Sequence, residues 1–106
     1  ETVPGSNAYG IIQDPGSSGG YTLIGYIERP IVERQVLLLS VNATMTSYTI
    51  LGEYGDAVLS GDDVGYGILP RTGLNAGYYL GGYTISKSAG GRDAYYLKTD
   101  LQGNVN

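Results

Sequence analysis

Few side chains in this sequence are equipped for chemistry, and the first that are stand together at Asp62-Asp63. Hard cations such as Ca²⁺ want clustered carboxylate and carbonyl oxygens, so the pair is a candidate metal site. A polar turn that caps its own backbone amides explains the same two residues without a metal, and that plainer reading is preferred. Glu28, Arg29, Glu33 and Arg34 form a second cluster. A carboxylate pair can serve as acid and base on a glycosidic bond. More often such a cluster is a solvated loop whose charges half-neutralise one another for little energy. With no His and no Cys, the commonest general base and the strongest nucleophile are missing. Lys87 and Lys98 are the only amines that could activate a Ser, and neither sits in a recognisable motif. The expectation is a chain with no catalytic residue and no cofactor.

Tyrosine is the conspicuous aromatic: eleven Tyr stand beside no Phe and no Trp. Each carries a hydroxyl that needs a partner or water, so these are amphipathic, partly exposed ring positions. Aromatic faces stack on the C–H surfaces of sugars, which makes Tyr9, Tyr66, Tyr26 and Tyr83 candidate ligand-stacking residues. Their recurrence in register, with that of Tyr21 and Tyr78, fits core or inter-repeat positions at least as well. Asn42-Ala43-Thr44 matches the N-glycosylation acceptor pattern and falls on an expected hairpin turn.

What must position these residues is a set of short strands. Eighteen Gly accompany abundant Val, Ile, Thr and Tyr, and no stretch keeps a helical period. A net charge of −4 with only six scattered Lys and Arg lacks the basic stripe that nucleic acid or an anionic membrane demands. The longest unbroken apolar run, Val36–Leu39, is too short to span a bilayer. Starting on Glu1 rather than Met, the chain reads as processed or excised from something longer.

Three blocks recur in order. Tyr9-Gly10-Ile11-Ile12 matches Tyr66-Gly67-Ile68-Leu69, and Gly20-Tyr21-Thr22-Leu23-Ile24-Gly25-Tyr26 matches Gly77-Tyr78-Tyr79-Leu80-Gly81-Gly82-Tyr83. One residue out of step, Arg34-Gln35-Val36-Leu37-Leu38-Leu39 matches Arg92-Asp93-Ala94-Tyr95-Tyr96-Leu97. The period is roughly 57 residues, dividing the chain into repeat 1 (1–57) and repeat 2 (58–106). Expected strands are Ala8–Gln13, Tyr21–Ile27, Gln35–Val41 and Tyr48–Tyr54 in repeat 1, then Val64–Leu69, Tyr78–Ile85 and Ala94–Thr99 in repeat 2, with a polar loop between second and third strands. The fold class is all-β: two tandem antiparallel meanders, four-stranded, the second lacking its last strand. The runs Leu37-Leu38-Leu39 and Tyr95-Tyr96-Leu97 do not alternate, as a sheet with one wet face should, so these sheets are expected to lie between others. Face-to-face four-stranded sheets around an axis are propeller blades. Gly10, Gly67, Gly25 and Gly82 would then stand where inner strands crowd.

Gly-Gly-Tyr-x-x-x-Gly-Tyr followed by Gly-Gly-Arg-Asp-Ala-Tyr-Tyr-Leu-Lys-Thr-Asp-Leu-Gln-Gly-Asn-Val resembles the SBBP-type β-propeller repeat, most closely over Gly61 to Val105. That resemblance implies tandem blades in a secreted or cell-surface protein, a structural or adhesive role, and no activity. Partners would be adjacent repeats or further copies of the chain, with glycans as a further candidate. A lectin using repeated Tyr sites and a strand-exchanging filament subunit are the alternatives. Two units leave two outer apolar faces and an open edge along Ala94–Thr99, so a self-sufficient monomer is not expected.

Overall fold

The computed structural model describes residues 2–16, 18–30, 33–55, 61–85 and 92–106. Within them the fold is all-β, in two antiparallel sheets. The first has four strands in the order β1 (Ser6–Gln13), β2 (Tyr21–Arg29), β3 (Glu33–Val41) and β4 (Tyr48–Tyr54). The second has three, β5 (Asp63–Arg71), β6 (Gly77–Thr84) and β7 (Asp93–Asp100). Lys87 and the 57/58 repeat boundary lie outside the described residues.

The two sheets share their pairing register as well as their order. Leu23 faces Ile11 and Leu39, while Leu80 faces Ile68 and Leu97. A bulge falls between Ala8 and Gly10 in β1 and between Gly65 and Gly67 in β5, placing Tyr9 and Tyr66 at matching irregularities. Even the fourth strand has its counterpart begun: Val105 bridges Thr99 where Tyr48 pairs with Val41.

Period-2 geometry explains the apolar runs. Val36 and Leu38 join Ile24, Ile68, Tyr78 and Leu80 in the core between the sheets. Leu37 and Leu39 point to the opposite face, where they gather with Ile27, Leu23 and Val3. Each sheet therefore has a packed face and a distal face.

Backbones approach most closely along β5, which lies against β1, β2 and β3. Small residues permit it: a Cβ on Gly65 would come within 2.7 Å of the Ile24 side chain, and one on Gly10 would stand 3.0 Å from it. Bulkier Tyr78, Leu80 and Leu97 fill the space beneath β6 and β7. Gly25 and Gly82 are crowded as expected, each beneath the carbonyl of the neighbouring strand, at Asn7 and Val64. Gly67 departs from expectation, with nothing within 4 Å, because it faces away from the first sheet.

The polar loop expected in repeat 1 is largely strand. Glu28 pairs across the ladder with Arg34 and Arg29 with Glu33, so opposite charges sit on paired strands and extend the hairpin. In repeat 2, Ile85 falls just past β6, its N–H donating to the Asp62 carbonyl at 2.8 Å.

Candidate functional site

The four tyrosines singled out by their spacing form one row. Tyr9 and Tyr66, on the bulges of β1 and β5, bring their ring centroids to 4.5 Å across the inter-sheet boundary. Tyr26 continues the row from Tyr9 at 6.2 Å, and Tyr83 continues it from Tyr66 at 5.8 Å. All three pairs are tilted, within the range where aromatic contacts are favourable. Arg34 and Arg92, matched in the repeat, close the ends: each guanidinium carbon lies 4.4 Å from a ring centroid, over Tyr26 and Tyr83 respectively. Asn7 donates its side-chain amide to the Tyr26 hydroxyl at 3.1 Å.

Electrostatics follow from that closeness. Desolvation, then the neighbouring Tyr66 and Tyr26, hold the Tyr9 hydroxyl above the ordinary tyrosine range. Desolvation works against the charge on Arg34, but Tyr26, Asp62 and Glu28 outweigh it and raise its pKa. Tyr9 and Tyr66 are each 48% exposed, yet each has a ring on either side. Tyr26 is buried, so Tyr9, Tyr66 and the partly exposed Tyr83 are what the row offers a ligand.

Asp62 and Asp63 are drawn apart by their partners. Asp62 lies 3.9 Å from the Arg34 guanidinium, while Asp63 is buried and accepts a hydrogen bond from the Thr84 hydroxyl. Among the described residues no group of three or more acids gathers as a metal would need. Glu28 sits 3.6 Å from Arg34, and Arg29 forks onto Glu53 with contacts of 2.8 and 2.5 Å. That fork lowers the Glu53 pKa. Asp62, Glu28 and Glu53 each have an arginine at hand.

Asn42 is exposed on the β3–β4 turn, where its own side chain is engaged. Its amide oxygen accepts from the N–H groups of Thr46 at 2.8 Å and Ser47 at 3.2 Å, and its amide nitrogen donates to the Thr46 hydroxyl at 2.9 Å.

Two buried polar contacts join the sheets. Thr22 and Tyr78 hydroxyls meet at 2.9 Å, and the Tyr54 hydroxyl donates to the Gly103 carbonyl at 2.5 Å. Burial, then the nearby Asp100, pushes the Tyr54 pKa up to about 12.

The distal faces of both sheets carry apolar surface. On the second sheet Leu69, Tyr79 and Tyr96 stand in solvent, Tyr96 84% exposed, around the bare backbone of Gly67 and Gly81. On the first sheet a groove of about 300 Å³ is lined by Ala8, Ile11, Leu23, Leu39, Val41 and Met45, among others. Sequence spacing reveals the pairs Tyr9/Tyr66, Tyr26/Tyr83 and Arg34/Arg92; their union in one row depends on how the sheets stack, which spacing does not carry. Comparison with family models, curated proteins and solved structures finds no match.

Proposed function

We propose that this chain is a non-enzymatic structural and interaction module, a pair of stacked β-repeats that belongs to a larger propeller or a self-assembling structure outside the cell. The observation that carries the reading is the packing of one repeat on the next. An apolar core joins two sheets of like register, and apolar surface remains on both outer faces. Close approach at Gly10 and Gly65, against bulk at Tyr78 and Leu97, suits blades that crowd at an inner edge and spread outward. The resemblance of Gly61 to Val105 to the SBBP-type repeat supports the same reading, including its surface location.

The tyrosine row belongs to the stack in this account: it runs from one repeat to the next, with an arginine over the ring at either end. The half-exposed Tyr9 and Tyr66 favour sugar binding as the second reading, tested by a glycan array with Tyr9→Ala/Tyr66→Ala as the control.

In stacked repeats, stability is a sum of unit terms and nearest-neighbour interface terms. Two copies of the chain joined by a flexible linker should therefore unfold at higher denaturant than one copy. An unchanged midpoint would overturn the module reading.

A further inference from the structure

The internal interface maps onto the two distal faces. Through the shared register, the residues by which repeat 1 holds repeat 2 have counterparts on the distal face of repeat 2. Gly10 becomes Gly67, Ile12 becomes Leu69, Ile24 becomes Gly81 and Leu38 becomes Tyr96. Leu38 is fully buried, whereas Tyr96 is 84% exposed. The reverse mapping holds too. Gly65, Ile68, Leu80 and Leu97 grip repeat 1, and their counterparts Ala8, Ile11, Leu23 and Leu39 line the groove on the first sheet. One face thus repeats the donor side of the internal contact and the other repeats the acceptor side.

We infer that the occupant of each distal face is a second copy of this chain, docked head to tail. The distal face of β5–β7 seats on the distal face of β1–β4 of the next copy, continuing the internal stack. This rests on the module reading above and adds the partner, its orientation and the contact residues. Tyr96 enters the partner's groove beside the partner's Ile11 and Leu23, as Leu38 lies among Ile68 and Leu80 within one chain. Tyr66, half exposed, meets the partner's Tyr9, so each copy adds four rings to the tyrosine cluster. Different surfaces meet in such a contact, so it is heterologous and propagates to a ring or a filament. An isologous dimer would instead join like faces.

The test uses the intact chain and two one-faced variants, Ile11→Lys in the groove and Tyr96→Lys on the opposite face. Both positions are exposed, at 53% and 84%, so the folded monomer tolerates the change. Tyr48→Lys and Leu69→Lys, on the same two faces, replace any variant whose circular dichroism shows a lost fold. In sedimentation velocity the parent chain should form species beyond a dimer as concentration rises. Each variant alone should remain monomeric, and an equimolar mixture should form a one-to-one dimer and nothing larger. Dimers of either variant alone would overturn the head-to-tail geometry, and so would a mixture that stays monomeric. A parent chain that stays monomeric would overturn self-docking. The module reading would then stand or fall separately, on the linked-copy measurement.

Discussion

Leu38 and Tyr96 hold the same place in two sheets of the same register, yet one is sealed in the core and the other stands in water. The difference lies in what covers them. Leu38 has the second sheet over it; Tyr96 faces outward. Local sequence makes both positions apolar, and only the neighbouring sheet makes one of them core. Burial here belongs to the stack and not to the strand.

Truncating each residue measures how much the covering sheet contributes. Leu38→Ala should cost about 2–5 kcal/mol, the range for emptying a well-packed aliphatic site. Tyr96→Ala should cost within about 0.5 kcal/mol in dilute solution, as surface changes do. Urea unfolding of the two variants decides it. Equal losses would mean that Tyr96 is covered in the isolated chain and that the two faces are not distinct.

Glycine sharpens the same contrast at smaller scale. Gly10 and Gly67 follow the matching bulges, but a Cβ at Gly10 would press on Ile24 at 3.0 Å while one at Gly67 would meet nothing. Gly10→Ala should destabilise by about 1–3 kcal/mol through overpacking. Gly67→Ala should leave the denaturant midpoint of the monomer unchanged and weaken self-association, because a second copy approaches there. A Gly10→Ala variant as stable as the parent would show that the sheets separate freely at this edge.

These residues also show what the sequence makes legible. Three blocks at nearly one spacing fix the strands, their order and the match between repeats, because apolar and glycine positions are set by pairing within a sheet. The Leu37-Leu38-Leu39 run announces a sheet with apolar surface on both sides. Glu28, Arg29, Glu33 and Arg34 are misleading, since a charge-rich segment looks like a loop until cross-strand partners are known. The arginine caps on Tyr26 and Tyr83 are visible only as matched positions, Arg34 and Arg92. Their stacking, like the openness of Gly67, depends on which sheet lies over which residue, and one-dimensional spacing does not record it.

Tyr54 tests the stack from its polar side. Its hydroxyl crosses from β4 to the Gly103 carbonyl, so Tyr54→Phe leaves that carbonyl without this donor at a loss of about 1 kcal/mol. Its pKa rises from 10.0 to about 12, chiefly through burial, so the folded chain holds this proton more tightly than the unfolded one. The contribution is complete below pH 10 and lost as pH climbs toward 12. Alkaline unfolding of Tyr54→Phe should be shallower than that of the parent over this window. Parallel curves would remove Tyr54 as a titrating link between the repeats.

The smallest effect concerns the matched turns after β3 and β7. Asn42 closes one by accepting backbone N–H groups with its amide oxygen, and Asp100 closes the other with a carboxylate that accepts from Gln102 and Asn104 at 2.9 Å. The two side chains differ in charge more than in the geometry of the accepting oxygen. Hydrogen bonds from the Asn104 backbone, first among several, hold the Asp100 carboxyl below its ordinary range. Its contribution is therefore present above the unfolded carboxyl range and lost as pH falls through the lowered folded value. Asp100→Asn keeps an accepting oxygen but not the charge, so the melting midpoint at neutral pH should fall slightly, by less than in Asp100→Ala, while part of the acid-side loss should vanish. Asn42→Asp should do the reverse and add an acid-sensitive step to repeat 1. Thermal melts at about pH 3 and pH 7 bracket the ordinary carboxylate range and separate these outcomes. If Asp100→Asn lowers the neutral midpoint as far as Asp100→Ala does, the turn needs the charge and not merely the acceptor, and the likeness of the two repeats ends at this turn.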